Sequence, residues 1–357
     1  VLTSRLQAAA FGARPASSAR FAWPLAICAA LLAGGCARTP EVFQGRTMGT
    51  TYSVVVTRLP AGVARADLAS AIDETLAEVN RHLSTWDPTS EISAFNASRS
   101  TAPVPVSPPL GRVVAISEEV ATESGGAFDV TVGPLVRAWG FGTDAPAAGV
   151  PDEASLAALR LEIGHDKLVL APDERSLRKR LPGLEIDVAA VAPGYAVDLI
   201  AGRFDALGVR DYLVELGGEL RARGLSPEGR PWRVAVEAPL RGERKPYALV
   251  ELDGMSASTS GDYRDFRVVG GQRYSHTIDP RSGRPITHDL ASVCVVQPSA
   301  AYADAWATAL MVLGPEEGLA LARRRGLAAL FIERDPASGT LRERATDEFQ
   351  RLRRPLD

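Results

Sequence analysis

The sequence predicts an α+β fold, a largely antiparallel sheet with flanking helices. Three observations point there. β-branched runs succeed one another at hairpin-like intervals in the second half of the chain, amphipathic helical segments stand before and between them, and no repeat or heptad pattern competes for the same residues. With 357 residues, 46% of them hydrophobic and 23% charged, the chain has material for one large domain or two smaller ones.

The amino terminus follows rules of its own. Arg5, Arg14 and Arg20 precede the apolar run from Phe21 to Leu32, and no acidic residue comes before Glu41. That run is too short for a permanent span of about 20 residues and suits the core of a cleaved signal peptide. Ala33, Gly34 and Gly35 then stand directly before Cys36, an arrangement that resembles the lipobox of bacterial lipoproteins, in which the cysteine is lipidated and becomes the first mature residue. A plain secretory signal with an incidental Cys36 is the alternative. The expected organisation is a signal peptide over 1–36, a linker over 37–42 and one domain over 43–350. Cys28 would leave with the signal and Cys36 would carry lipid, so Cys294, in the apolar run "SVCVVQ", is expected to be an unpaired core residue.

Downstream, "TTYSVVV" reads as a strand. Leu68, Ile72, Leu76, Val79 and Leu83 recur at steps of three and four and predict an amphipathic helix. Leu110 to Ser124 predicts a second helix, and Glu123 to Gly142 a loop-rich stretch; residues 143–154, rich in Ala, Pro, Gly and Asp, predict a surface insertion. "LEIDVAAVAPGYAVDLIAGRFDALG" reads as strand, small-residue loop and helix, followed by the strand "YLVEL". Further strands are expected at 232–236, 248–252, 267–269 and 292–296, then a helix near Ala300 to Leu313. The charged tail "RERATDEFQRLRRPLD" predicts a short solvated element or a frayed end.

The net charge of −3 supplies no basic field for a polyanion, so nucleic acid is not an expected partner. Several segments carry candidate chemistry. Asp304 and Thr308, four residues apart on a helix, project their oxygens from one face and suit a hard cation such as Mg2+; an Asp favoured by the helix dipole beside a core-facing Thr is the plainer reading. Ala189, Ala190, Ala192 and Gly194 let backbone approach a phosphate at a helix amino terminus, or simply pack closely. Trp86 either stacks on a planar ligand or plugs the core. In "SHTIDPRSGRPI", His276 sits beside a carboxylate in a turn defined by Asp279, Pro280, Gly283 and Pro285, where it can serve as a proton acceptor or phosphate donor or merely shape the turn.

Taken together, "MGTTYSV", "STWDPTSEISAFN", "FDVTVGPLVRAWGFG", "EIDVAAVAPGYAVD", "YLVELGGELRARG", "ASTSGDYRDF", "SHTIDPRSGRPI" and "ADAWATALMVLG" resemble, in order and spacing, the motifs of the ApbE family, the FAD:protein FMN transferases, from about Phe43 to about Phe331. The resemblance implies a periplasm-facing enzyme, anchored by lipid to the bacterial cell membrane. With Mg2+ it would bind FAD and transfer FMN to a Ser or Thr hydroxyl of a target flavoprotein subunit, releasing AMP. Carried over residue by residue, it places Met48, Trp86, Ala127, Phe128, Asp129, Asp187 and Ile278 in the FAD site. Asp304, Thr308 and the Ala190 carbonyl fall on the metal ligands, and His276 on the residue for transfer. Ser258, Thr259, Ser260 and Gly261 are expected as a polar turn beside the flavin or the phosphates. Pro193 falls in the FAD-site motif where many relatives carry Lys or Glu; it removes a side-chain contact and an N–H, leaving the phosphates to neighbouring amides. An FAD pyrophosphatase and a non-catalytic flavin-binding lipoprotein are the competing functions.

Overall fold

A computed structural model describes residues 39–142, 149–240, 242, 244–263 and 265–356. Cys36 and the expected signal segment lie outside the described residues, as do residues 143–148 of the expected 143–154 insertion.

Alternation along the strands sets the layers. Val54 and Val56 point to one side and Val55 to the other; Val293 and Val295 oppose Cys294 and Val296 in the same way. The eight-stranded sheet runs in the order Glu41–Thr47, Thr50–Val56, Tyr212–Leu216, Glu219–Arg223, Met255–Gly261, Leu290–Gln297, Ala328–Arg334, Leu341–Ala345, and every neighbouring pair is antiparallel. The Leu290–Gln297 strand is buried on both faces, which is why it reads as a continuous apolar run. Burial pushes the Cys294 thiol up to about 11, so it is a core residue and not a reactive one.

One face of the sheet is covered by helices: α1 (Arg65–Leu83), α2 (Glu91–Ala97), α3 (Pro108–Glu123), α6 (Ala192–Ala206) and α7 (Ala300–Arg325) build the larger core, while α4 (Gly133–Ala138) and α5 (Glu153–Glu162) frame a smaller one around Leu135, Trp139, Leu156, Ile163 and Ile278. The opposite face packs on a three-stranded sheet, Trp232–Glu237, Pro246–Leu252 and Arg353–Arg354, together with α8 (Asp347–Leu352). The architecture is α+β, as the sequence predicts.

Three expectations need correction. The strand expected in "LEIDV" is extended chain outside any sheet: the Asn96 amide takes the place of a ladder, donating to the Ile186 carbonyl and accepting from its N–H, both at 2.8 Å. The carboxyl tail is neither solvated nor frayed, because Phe349 of α8 is fully buried and residues 353–354 pair with 249–250. The helix expected near Ala300 to Leu313, by contrast, is found there: Gly314 (φ 79°) breaks it ahead of Pro315, and a second helical stretch continues to Arg325. Ser258, Thr259, Ser260 and Gly261 are not a turn but the end of the Met255–Gly261 strand.

Candidate active site

A cleft of about 1380 Å³ opens where the ends of α2, α4, α6 and α7 meet the sheet. Its wall includes Trp86, Ala127, Phe128, Asp129, Asp187, Ala190, His276, Ile278, Asp304 and Thr308, so ten of the residues singled out from the sequence converge on one space. Met48 and Pro193 are not part of that wall. Met48 occupies the turn between the first two strands with φ 50° and packs partly on the larger core. Its neighbour Thr50 abuts the cleft residue Gly217, where a Cβ would stand 3.1 Å from Thr50 Cγ2.

Trp86 is 73% exposed. A side chain so open cannot be plugging the core; it offers an apolar plane at the cleft wall, the arrangement that suits a planar ring. Asp129 does the reverse, because its carboxylate is spent on the scaffold: Oδ1 accepts the Thr131 amide and hydroxyl, both at 2.7 Å, and Oδ2 accepts the His165 amide at 2.9 Å. Burial nonetheless holds its pKa above the ordinary range. Asp187 is raised for the same first reason, and its Oδ1 accepts the Ala189 amide at 2.9 Å.

The amino end of α6 departs from the expectation of free phosphate-binding amides. The Ala189 amide serves Asp187, those of Val191 and Ala192 bond the Val188 carbonyl at 3.0 and 2.8 Å, and that of Gly194 lies against Asp304. Pro193, second residue of the helix, therefore removes an N–H from a turn whose other amides are largely committed, in a position where proline suits helix geometry. Cationic side chains on the wall are Arg137, paired with Glu185 at 2.5 Å, and Arg267, which donates to the Trp139 carbonyl at 2.6 Å.

Deep in the cleft α7 presents Asp304, Thr308 and Val312 along one face. The Asp304 Oδ2 is buried and without a hydrogen-bond partner, and Thr308 Oγ1 lies 3.1 Å from Ser260 Oγ. Beside it stands Glu219, which the sequence reading missed; Ser258 Oγ donates to its Oε1 at 3.3 Å. Burial pushes Glu219 up to about 7, and burial together with the neighbouring Glu219 carries Asp304 well above the usual carboxylate range. Two carboxyl groups that resist ionisation side by side, one with an orphaned oxygen, are the environment a divalent cation would relieve. Among the described residues no three His, Cys, Asp or Glu side chains gather as a metal cluster. A hard cation held by one or two carboxylates, a hydroxyl, a carbonyl and water needs no such trio, so the residues present fit Mg2+.

His276 follows the Gln272–Ser275 strand and is fixed by its neighbours. Its Nδ1 lies 2.9 Å from the Asp265 carbonyl; a carbonyl only accepts, so Nδ1 carries the proton and the lone pair of the neutral ring is on Nε2. The residues after it form a tight hairpin, with Ile278 opposite Pro285 and Asp279 opposite Arg284. Gly283 turns there at φ 72°, its N–H donating to Asp279 at 2.8 Å and its carbonyl accepting Trp139 Nε1 at 2.9 Å. Asp279 is bonded to Arg281, through its backbone N–H at 2.9 Å and its guanidinium at 3.0 and 3.1 Å, and closes the turn.

The sequence model of the ApbE family matches residues 48–331. A protein of Klebsiella pneumoniae (strain 342) named FAD:protein FMN transferase is 40% identical over 301 residues, covering 84% of this chain and 86% of that one. Its namesake from Escherichia coli (strain K12) is 38% identical over 321 residues, covering 87% and 91%. Among solved structures, the apo form of the Pseudomonas stutzeri flavinyl transferase ApbE matches with a TM-score of 0.80 at 43% identity, covering 88% of this chain and 96% of that one. The flavin transferase ApbE of Vibrio cholerae matches with 0.81 at 37%, covering 88% and 99%. Sequence, fold and the convergence of the family's motifs on one cleft agree, and the chain belongs to the ApbE family.

Proposed function

We propose that this chain is an FAD:protein FMN transferase: it binds FAD in the cleft and transfers FMN, with Mg2+, to a Ser or Thr hydroxyl of a target flavoprotein subunit, releasing AMP. The observation that carries the reading is the placement of His276, with Nε2 free to accept a proton, in the same cleft as the buried Asp304 and its half-buried neighbours Thr308 and Glu219. The names of the relatives support the same activity.

Trp86 offers the flavin ring a plane, and Ala127, Phe128 and Ile278 supply the apolar wall that excludes water from it. Asp304 and Thr308, with the Ala190 carbonyl, would hold the cation, and Glu219 adds negative charge beside them. When bound, Mg2+ supplies charge neutralisation on the pyrophosphate and improves AMP as a leaving group. His276 Nε2 takes the proton of the acceptor hydroxyl as that oxygen bonds to the FMN phosphorus; the bond from phosphorus to the bridging oxygen breaks, and the electron pair leaves with AMP. The Asp265 carbonyl keeps the ring in the tautomer this needs.

The proposed setting is the periplasmic face of the bacterial cell membrane, through lipidation of Cys36, supported by the lipobox-like "AGGC". The function is tested by following AMP with FAD and Mg2+ present, before and after a candidate acceptor is added. The transferase reading expects AMP release that starts with acceptor and stops with EDTA. Equal AMP release without acceptor would identify a pyrophosphatase, and none under either condition a flavin-binding protein.

A further inference from the structure

Asp198 lies on α6, and its carboxylate reaches across to the amino end of α7. Oδ1 accepts the Ala300 amide and Arg221 Nη1, each at 2.9 Å; Oδ2 accepts the Ser299 hydroxyl at 2.6 Å and the Ala301 amide at 3.1 Å. Arg221 is tied in turn to the Pro298 carbonyl at 2.7 Å, which also accepts Ser256 Oγ at 3.3 Å. The remaining donors of the first turn of α7 are met by Ser299, whose hydroxyl accepts the Tyr302 amide and whose carbonyl accepts that of Ala303. One side chain of α6 thus fixes both the start and the rotation of α7.

A second contact fixes their separation. Four residues before Asp198, Gly194 presses α6 against α7 so closely that a Cβ there would stand 2.4 Å from the Ala300 carbonyl oxygen. Asp304 sits one turn beyond that contact and Thr308 two, while Ala190 lies just before α6. Asp198 itself is not in the cleft wall, so whatever it does for the site it does through the helix.

We propose that Asp198 is a positioning residue of the divalent-cation site: by setting the register of α7 on α6 it holds the Asp304 carboxylate and the Thr308 hydroxyl in place relative to Ala190. The inference rests on the cation role of Asp304 and Thr308 given above. Mg2+ demands near-octahedral oxygens at about 2.0–2.1 Å, so even a slight rotation of α7 weakens the cation, whereas the flavin wall at Trp86, Ala127 and Phe128 belongs to other elements and stays where it is.

The test measures Mn2+ binding to the full chain by the loss of its free-ion paramagnetic resonance signal, in wild type, Asp198→Asn and Ser299→Ala. Asp198→Asn is expected to bind Mn2+ roughly 10-fold more weakly, in the range found when groups that orient metal ligands are altered. Its FAD affinity in EDTA, read by flavin fluorescence quenching, should stay within about two-fold of wild type, and raising Mg2+ should restore most of the rate, a change in the metal requirement and not in the maximal turnover. Ser299→Ala removes one donor without changing charge; it should move Mn2+ affinity the same way by less, and carries the test if Asp198→Asn fails to fold. Unchanged Mn2+ affinity in the variants, or FAD and Mn2+ affinity falling together, overturns the positioning role alone. A wild-type protein that binds no Mn2+ overturns the cation site, and the role of Asp198 with it.

Discussion

At the residue scale the proposed function divides the work between His276, which would move a proton, and Asp304, which would hold charge. If Nε2 accepts the hydroxyl proton, His276→Ala should cut transfer by roughly 10²–10⁴-fold with FAD affinity little changed, measured as single-turnover labelling at saturating FAD beside fluorescence quenching. A variant that labels at the wild-type rate once saturated refutes the assignment. Asp304→Asn should abolish EDTA-sensitive turnover and leave most of the flavin affinity, because Trp86 and Phe128 lie on other elements. Away from the cleft, His165 Nδ1 lies 3.2 Å from Glu118 Oε2, and this bond is the main reason its pKa is raised. A raised folded-state pKa means stabilisation that is complete below the unfolded value of about 6.5 and lost as pH rises through the folded one. Glu118→Gln should therefore lower thermal stability at pH 6 by the equivalent of ~0.5 kcal/mol, in keeping with a partly exposed pair, and the gap should close above the raised pKa.

Between elements, the contact of α6 with α7 is the tightest constraint on the site. Gly194→Ala puts a methyl group 2.4 Å from the Ala300 carbonyl, so the helices must part, at about 1–3 kcal/mol, and the proposed cation ligands move with them. Chemical denaturation and Mn2+ binding should both report the loss; a variant as stable as wild type would show that α7 yields without cost. The sequence reveals α1 and α6 because their buried apolar positions recur at helical spacing, and it reveals the buried 290–297 strand by its unbroken apolar run. It misleads at "LEIDV", whose alternation is that of a strand, because the partner there is the side chain of Asn96, 90 residues away. It misses α5, whose signal is the Asp152 cap that accepts the Ser155 amide at 2.7 Å, hidden beside the Pro-rich insertion. Glu219 carries no local sign at all: only the pairing of its strand beside Met255–Gly261 brings it against Asp304. Motif residues that share one turn are legible; a site assembled from strands far apart in the chain is not.

At the scale of the whole molecule, the sheet serves as the platform on which α7 and the His276 hairpin are brought to one cleft, and the membrane setting proposed for it rests on Cys36. Cys36→Ser should release the protein from the membrane into the soluble periplasmic fraction; unchanged membrane fractionation would count against lipidation. The central claim is that the cleft moves FMN onto another protein. Intact-mass spectrometry of a candidate Ser/Thr-bearing flavoprotein subunit, incubated with this protein, FAD and Mg2+, tests it most directly. The account predicts a subunit heavier by one FMN less one water, with no gain when EDTA is present or His276 is alanine. A wild-type reaction that consumes FAD while the mass of a subunit, one known to accept flavin from a related transferase, stays unchanged would contradict it.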